Sequence, residues 1–192
     1  PYPATLRLEL STPGRPTRAA VSLSILPRAD AIHAPRRVFS GAEVRRSDLV
    51  ALLANGRGAM SRVRARWGEV RSQYDAILAA NPDPEVPVDR QVLLTRCRAW
   101  IVNQGFSSEV GPDCLASFRA DPGEAAWRFD VPAGTGRTVP LRVSLRLEHG
   151  RDRALLRFAR LPAAEGGPNA LDDAEPVRLI LRPDVESRSF HE

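Results

Sequence analysis

An antiparallel β-sandwich carrying a helical insertion at about 41–81 is the fold class that the sequence predicts, and three observations predict it. Runs that alternate apolar and polar residues recur toward both ends of the chain. Clusters of Gly, Pro, Asn and Asp separate the later runs at intervals of roughly a dozen residues, as in sandwiches and barrels. Between 41 and 81 the apolar spacing changes from two to three and four. A chain of 192 residues suits one well-buried core, so 1–192 is expected to be a single domain with the insertion inside it.

Taken in order, Thr5 to Leu10 places Leu6, Leu8 and Leu10 on one face and Thr5, Arg7 and Glu9 on the other. Ser11 to Pro16 is rich in turn formers, and Ala19 to Leu26 again alternates, with Val21, Leu23 and Ile25 facing a core. These two segments are expected to pair as antiparallel neighbours. From Gly41, the residues Val44, Leu49, Val50, Leu52 and Leu53 fit a short helix stopped near Asn55-Gly56. Met60, Val63, Trp67, Val70, Tyr74, Ile77 and Leu78 then recur at three and four, which predicts an amphipathic helix ending at Asn81, before Pro82.

The run 81–88 holds three prolines and reads as a rigid, extended connector. Gln91 to Asn103 follows as a long strand, with helix as its rival. Val92, Leu94, Arg96, Arg98, Trp100 and Val102 would occupy one face, and Leu93, Thr95, Cys97, Ala99 and Ile101 the other. Ala126 to Val131, Val139 to Leu147 and Ala154 to Phe158 are further strands. A Gly-, Pro- and Asp-rich loop from Ala163 to Glu175 leads to a last strand, Pro176 to Arg182.

Composition narrows the function classes. An apolar fraction of 43% and a charged fraction of 27% describe a folded chain rather than a disordered one. All 28 basic residues are Arg, which is the mark either of a phosphate- or carboxylate-binding surface or of a GC-rich genome. The 23 acidic residues are interleaved with them, so genome bias is the better account and no nucleic acid is expected as a partner. Arg62, Arg64, Arg66 and Arg71 share their segment with Glu69 and Asp75, with Arg66–Glu69 and Arg71–Asp75 at pairing distances, as on a solvated face.

No apolar stretch is long enough to span a bilayer, no signal peptide is visible, and the protein is expected in the cytoplasm, away from membranes. Cys97 and Cys114 are expected as two thiols. His33, His149 and His191 are too scattered for a metal site, and no cofactor is expected. The start at Pro1 and the stop at Glu192, directly after a strand-like run, are read as the edges of a domain cut from a longer chain.

For chemistry, glycoside hydrolysis needs two facing carboxylates, and Glu43, Asp75, Asp89, Asp130, Asp184 and Glu186 are the nominees; spacing alone brings no two of them together. A nucleophile elbow is missing, and Ala133-Gly-Thr-Gly-Arg137 reads as a hairpin turn rather than a phosphate cradle. No catalytic residue is therefore assigned. Sugars stack on planar rings, which makes Trp100 and Trp127, at strand positions, the carbohydrate-binding candidates. Trp67 and Tyr74, on the apolar stripe of the predicted helix, are expected in the core.

Two stretches carry a resemblance. The segment VPVDRQVLLTRCRAWIVNQG (86–105) and the ending VRLILRPDVESRSFHE (177–192) resemble the N-terminal region of bacterial glycogen debranching enzymes of the amylo-α-1,6-glucosidase type. In that family a β-sandwich precedes an (α/α)6 catalytic barrel and closes with an Arg-Pro pair, an Arg, an aromatic residue and a His. Arg182-Pro183, Arg188, Phe190 and His191 match those positions. The resemblance implies a non-catalytic domain that supports the barrel of the same parent chain and helps to hold a branched α-glucan such as glycogen. It places Arg182, Arg188 and His191 at the seam between domains, while simple pairing of Arg182 and Arg188 with Asp184 and Glu186 is the alternative for the two arginines. The family's catalytic acids would lie beyond Glu192. The rival reading of the chain is a free-standing carbohydrate-binding or protein-interaction sandwich.

Overall fold

The computed structural model describes residues 2–12, 15–25, 37–83 and 89–191, and the chain forms two compact units, Pro1–Arg36 and Arg37–Glu192. His33 and residues 84–88 of the proline-rich connector lie outside the described residues. The first unit is a hairpin of β1 (Tyr2–Thr12) and β2 (Arg15–Ile25), in register from Thr12 opposite Arg15 to Tyr2 opposite Ile25. Glu9 and Arg18 face each other across it at 3.0 Å, an exposed cross-strand pair of small energetic weight.

The second unit is built from β3 (Arg37–Ser40), α1 (Gly41–Arg46), β4 (Val50–Ala54), β5 (Met60–Arg64), β6 (Ala76–Ala80) and β7 (Gln91–Asn103). It continues through β8 (Phe106–Glu109), β9 (Leu115–Asp121), β10 (Glu124–Gly134), β11 (Arg137–Leu147), β12 (Ala154–Arg160) and β13 (Arg178–Ser189). One antiparallel sheet runs β12-β11-β10-β9-β3. The other runs β13-β7-β6-β5-β4, with β8 paired to the far half of β7. Their inner faces form one core: Phe118, Trp127, Phe129, Leu141, Val143 and Leu145 from the first sheet meet Leu53, Val63, Ile77, Cys97, Ala99 and Ile101 from the second. This is the expected β-sandwich arrangement.

The helical insertion is not there. Only α1, six residues capped by a reciprocal Ser40–Glu43 box, is helical between 41 and 81; the rest is β4, β5, β6 and their turns. The three-and-four spacing arose because two short strands and an inward-turned loop each bury apolar residues. Val63 and Ile77 point inward from strands, while Trp67 sits on the 65–75 loop at 4% exposure, its ring edge-on to Trp127 at 5.0 Å and to Phe158 at 6.0 Å. Asp75 also works against a helix. Its buried carboxylate accepts the backbone N–H groups of Arg71 (2.8 Å) and Ser72 (3.0 Å), closing a side-chain turn where helical hydrogen bonds would run. The expected Arg66–Glu69 pair is present at 3.3 Å. The Arg71 guanidinium instead pairs with Glu69 (2.9 Å) and Asp48 (3.5 Å), because Asp75 is held by Arg62 and Arg64.

Asn55-Gly56, expected to stop a helix, opens the β4–β5 hairpin. The Asn55 side chain, fully buried, accepts the N–H groups of Arg57 (2.8 Å) and Ala59 (3.0 Å) and donates to Asp152 (2.7 Å) and the Arg151 carbonyl (3.0 Å). It thereby stitches a turn of one sheet to the β11–β12 turn of the other. Gly56 has φ 79°, a conformation that strains other residues, and a Cβ there would stand 2.8 Å from the His149 ring and displace it.

Asn55→Ala strands the buried Ala59 N–H and frees the half-buried Arg57 N–H, and is expected to lower stability by about 1–3 kcal/mol in urea unfolding, with the m-value unchanged. Loss of less than a few tenths of a kcal/mol would mean that the two turns hold without it.

Candidate functional site

The outer face of the six-stranded sheet has a closed end and an open end, and the closing residues of the chain determine which is which. Phe190 folds over Val92, Ala76 and Ala79, forming a second small core with Met60 and Tyr74 at its margin. The Tyr74 ring lies 4.9 Å from Phe190, the Arg90 guanidinium caps Phe190 at 5.1 Å, and the Phe190 N–H donates to the Arg90 carbonyl at 2.9 Å. Arg188 donates to the Gln73 carbonyl at 2.6 Å and pairs with Glu186 at 2.6 Å, so it ties the last strand to the 72–75 turn. His191 is exposed, with its ring 6.1 Å from Tyr74 and 5.4 Å from Phe190. Arg182 reaches outward at 66% side-chain exposure, only 4.0 Å from Asp184. The three seam residues thus divide: Arg188 is engaged within the domain, whereas Arg182 and His191 are presented at its surface.

Between the two ends runs an ionic row. Asp184 bridges Arg96 (2.6 Å) and Arg98 (3.2 Å), its neighbours on β7. The Arg96 hydrogen bond, followed by that of Arg98, holds the Asp184 carboxyl below its usual range. Glu186 is lowered by the Thr95 hydroxyl and then by Arg188, and Glu43 by the Ser40 N–H and hydroxyl of its cap. A glycosidic general acid needs the opposite shift. Among the other nominees, Asp75 is buried between Arg62 and Arg64, Asp130 pairs with Arg128 at 3.4 Å, and Asp89 is exposed.

The open end is centred on Trp100. Antiparallel register sets Trp100 directly between Glu109 of β8 and Ile180 of β13, and Val102 between Ser107 and Arg178, all projecting from the same face. Ile180 is exposed, and Trp100 and Val102 are half-buried. Beyond Val102 an open groove of about 440 Å³ is lined by Gln104, Gly105, Pro176, Val177 and Arg178. Gln104 and Gly105, both at positive φ (45° and 85°), form the tight two-residue β7–β8 turn that is one wall of this groove. Among the described residues no hydrogen bond, ion pair or ring contact engages the side chains of Trp100, Gln104, Glu109 or Arg178.

Trp127, the other carbohydrate candidate, is corrected. At 1% exposure it is packed against Phe118 and Trp67, and its Nε1–H donates to the Ala65 carbonyl at 2.9 Å, so it has no face to offer a sugar. Period-two alternation could not make this distinction, because both tryptophans sit on strands and only the position of the second sheet separates them. Gln104, Glu109, Arg178 and Ile180 were not singled out from sequence. The β7 alternation contained the signal, since it put Trp100 and Val102 on one face, but their neighbours come from strands whose register the sequence does not show.

A free edge adjoins this face. Among the described residues β13 has a partner, β7, on one side only. Leu179 and Leu181 stand opposite the core residues Ile101 and Ala99, yet Leu181 is 45% exposed, and Val185 further along is 74% exposed. Cys97 and Cys114 are free thiols whose pKa values burial pushes up, which favours the protonated form. Among the described residues no helix is long and apolar enough to cross a membrane, and no three His, Cys, Asp or Glu side chains gather as metal ligands.

The fold and these surfaces define an antiparallel β-sandwich domain with an open face around Trp100 and apolar side chains exposed on its edge strands, β13 among them. Residues 51–192, which include both stretches that carry the resemblance noted from sequence, match the family described as glycogen debranching enzyme N terminal, and the chain belongs to that family. No curated protein and no solved structure matches the chain.

Because the folded Asp184 pKa lies below its unfolded value, the stability it contributes is complete above about pH 4 and is lost as pH falls through the lowered folded pKa. Asp184→Asn is therefore expected to be less stable than the parent sequence at pH 7 and to converge with it in acid. A stability difference that stays constant from pH 7 down to about pH 2 would contradict this.

Proposed function

We propose that the chain is a non-catalytic N-terminal domain of a glycogen-debranching glycoside hydrolase of the amylo-α-1,6-glucosidase type, and that it docks on the catalytic barrel and holds α-glucan beside it. The observation that carries the reading is the free edge of β13. Along this twelve-residue strand Leu179, Leu181 and Val185 are uncovered, and solvent-exposed apolar side chains on an edge strand normally mark a contact with another body. Arg182 and His191, also presented there, give that contact a polar margin. Pro183 lacks an N–H and the register shifts after Asp184, so the edge is unsuited to adding a continuous further strand and suited to side-chain packing.

Support for a non-catalytic role comes from the carboxylates. Asp184 and Glu186 are committed to arginines of the same sheet, and the shifts acting on Glu43, Asp184 and Glu186 all favour the charged form. Two free thiols fit a protein of the cytoplasm, where thiols remain reduced.

The test is calorimetric titration of the chain against the separately produced catalytic domain of its own parent protein. Association is expected, and Leu181→Glu, which buries a charge at the seam, is expected to weaken it roughly tenfold or more while leaving the melting temperature nearly unchanged. An unaltered affinity in Leu181→Glu would remove the β13 edge from the interface. Glucan binding without any association would favour the free-standing module instead.

A further inference from the structure

We infer that the open end of the outer face is an α-glucan platform in which Trp100 stacks on a pyranose ring, Val102 and Ile180 extend the apolar floor, and Arg178, Gln104 and Glu109 bind the ring hydroxyls. This deepens the debranching reading above, on which it rests for the identity of the sugar; the kind of ligand follows from the face itself.

The floor is narrow and amphipathic. Trp100, Ile180 and Val102 form an apolar stripe only two strands wide, and the polar side chains of Gln104, Glu109 and Arg178 that border it have no hydrogen-bond or ion-pair partner among the described residues. A pyranose has the matching make-up: C–H groups on its faces suit an indole, and hydroxyls around its rim both donate and accept. The rim here supplies both kinds of partner. Arg178 only donates, Glu109 as a carboxylate only accepts, and Gln104 does both.

That mixture also separates a sugar from the other ligand such a face could take, an acidic protein surface. Arg98, Arg178 and Arg182 would welcome carboxylates, but Arg98 is already bonded to Asp184, and Glu109 lies directly across from Trp100, where it would repel an anion at the centre of the contact. A neutral polyol meets no such conflict.

The length of the stripe selects among glucans. A flat β-1,4 chain needs several rings aligned along one line, whereas among the described residues Trp100 is the one aromatic ring open on this face; the other end is closed by Phe190 and Tyr74. The Arg98–Arg182 row bounds the stripe on one side and the Gln104-Gly105 turn on the other. A curved α-1,4 chain touches such a short platform over a few residues and leaves it again, and the groove past Val102 receives the unit that leaves.

The experiment is a titration of the 192-residue chain with maltoheptaose, and separately with cellohexaose, followed through the indole N–H signals of its three tryptophans, assigned by substitution. Maltoheptaose is expected to move the Trp100 signal and leave those of Trp67 and Trp127 in place, with cellohexaose much weaker. Trp100→Ala is expected to abolish the response while melting at the same temperature, since the ring is outside the core, and Arg178→Ala to weaken binding roughly threefold or more. No shift up to about 10 mM maltoheptaose, equal response to both sugars, or undiminished binding by Trp100→Ala would each overturn the inference. A chain silent to maltoheptaose that still associates with the catalytic domain loses only the platform; silence in both assays removes the docking role as well.

Discussion

Strand β7 imposes the constraint on which the rest of the second unit depends. Thirteen residues long, it alternates from Thr95 to Asn103, so Thr95, Cys97, Ala99, Ile101 and Asn103 are buried and the even positions from Arg96 onward are delivered to the other face, while an irregularity at 94–95 turns Leu94 against the main core. That outward set has three different fates along one strand. Val92, beyond the irregularity, lies under Phe190, Arg96 and Arg98 both pair with Asp184, and Trp100 and Val102 are left open. Closing residues, ionic row and bare stripe are therefore one continuous device, laid out by the pleat and finished by the strand that pairs along the whole of β7.

β13 matters for the same reason. It supplies Asp184 to the row, Ile180 and Arg178 to the stripe, and, through its continuation, Phe190 to the cap. Of the closing Arg-Pro, Arg, aromatic and His positions, Arg188 and Phe190 serve first as an internal clasp: Arg188 grips the 72–75 turn and Phe190 seals Val92. The edge with Leu181 and Val185 and the face with Trp100 remain exposed after the clasp is made.

How far sequence reading reached follows from where local pattern determines structure. The 91–103 strand was legible to the residue because alternation, β-branching and a preceding proline run all agree there. The terminal hairpin and the strands from 126 to 158 were legible for the same reason, with ends that lengthened once pairing was in place. The 41–81 region misled because five-residue strands are too short to display a period. Trp67 and Tyr74, four and eleven residues past Val63, fell on a helical wheel by accident of a loop that turns one aromatic inward and lays the other against Phe190. Of the candidate site, the sequence offered Trp100 and Trp127 on equal grounds as strand aromatics, and only the second sheet, which no sequence pattern displays, distinguishes an open ring from one bonded to Ala65 deep in the core.

The central claim is that the outward face of β7 is a binding surface beside, rather than beneath, the catalytic domain. The most direct test is the crystal structure of the full parent protein with maltoheptaose. The account predicts the sugar stacked on Trp100 with Arg178 and Gln104 at its hydroxyls, and the catalytic domain packed on the free edge of β13 at Leu181 and Val185. A catalytic domain covering Trp100, with no room left for a ligand, would contradict it.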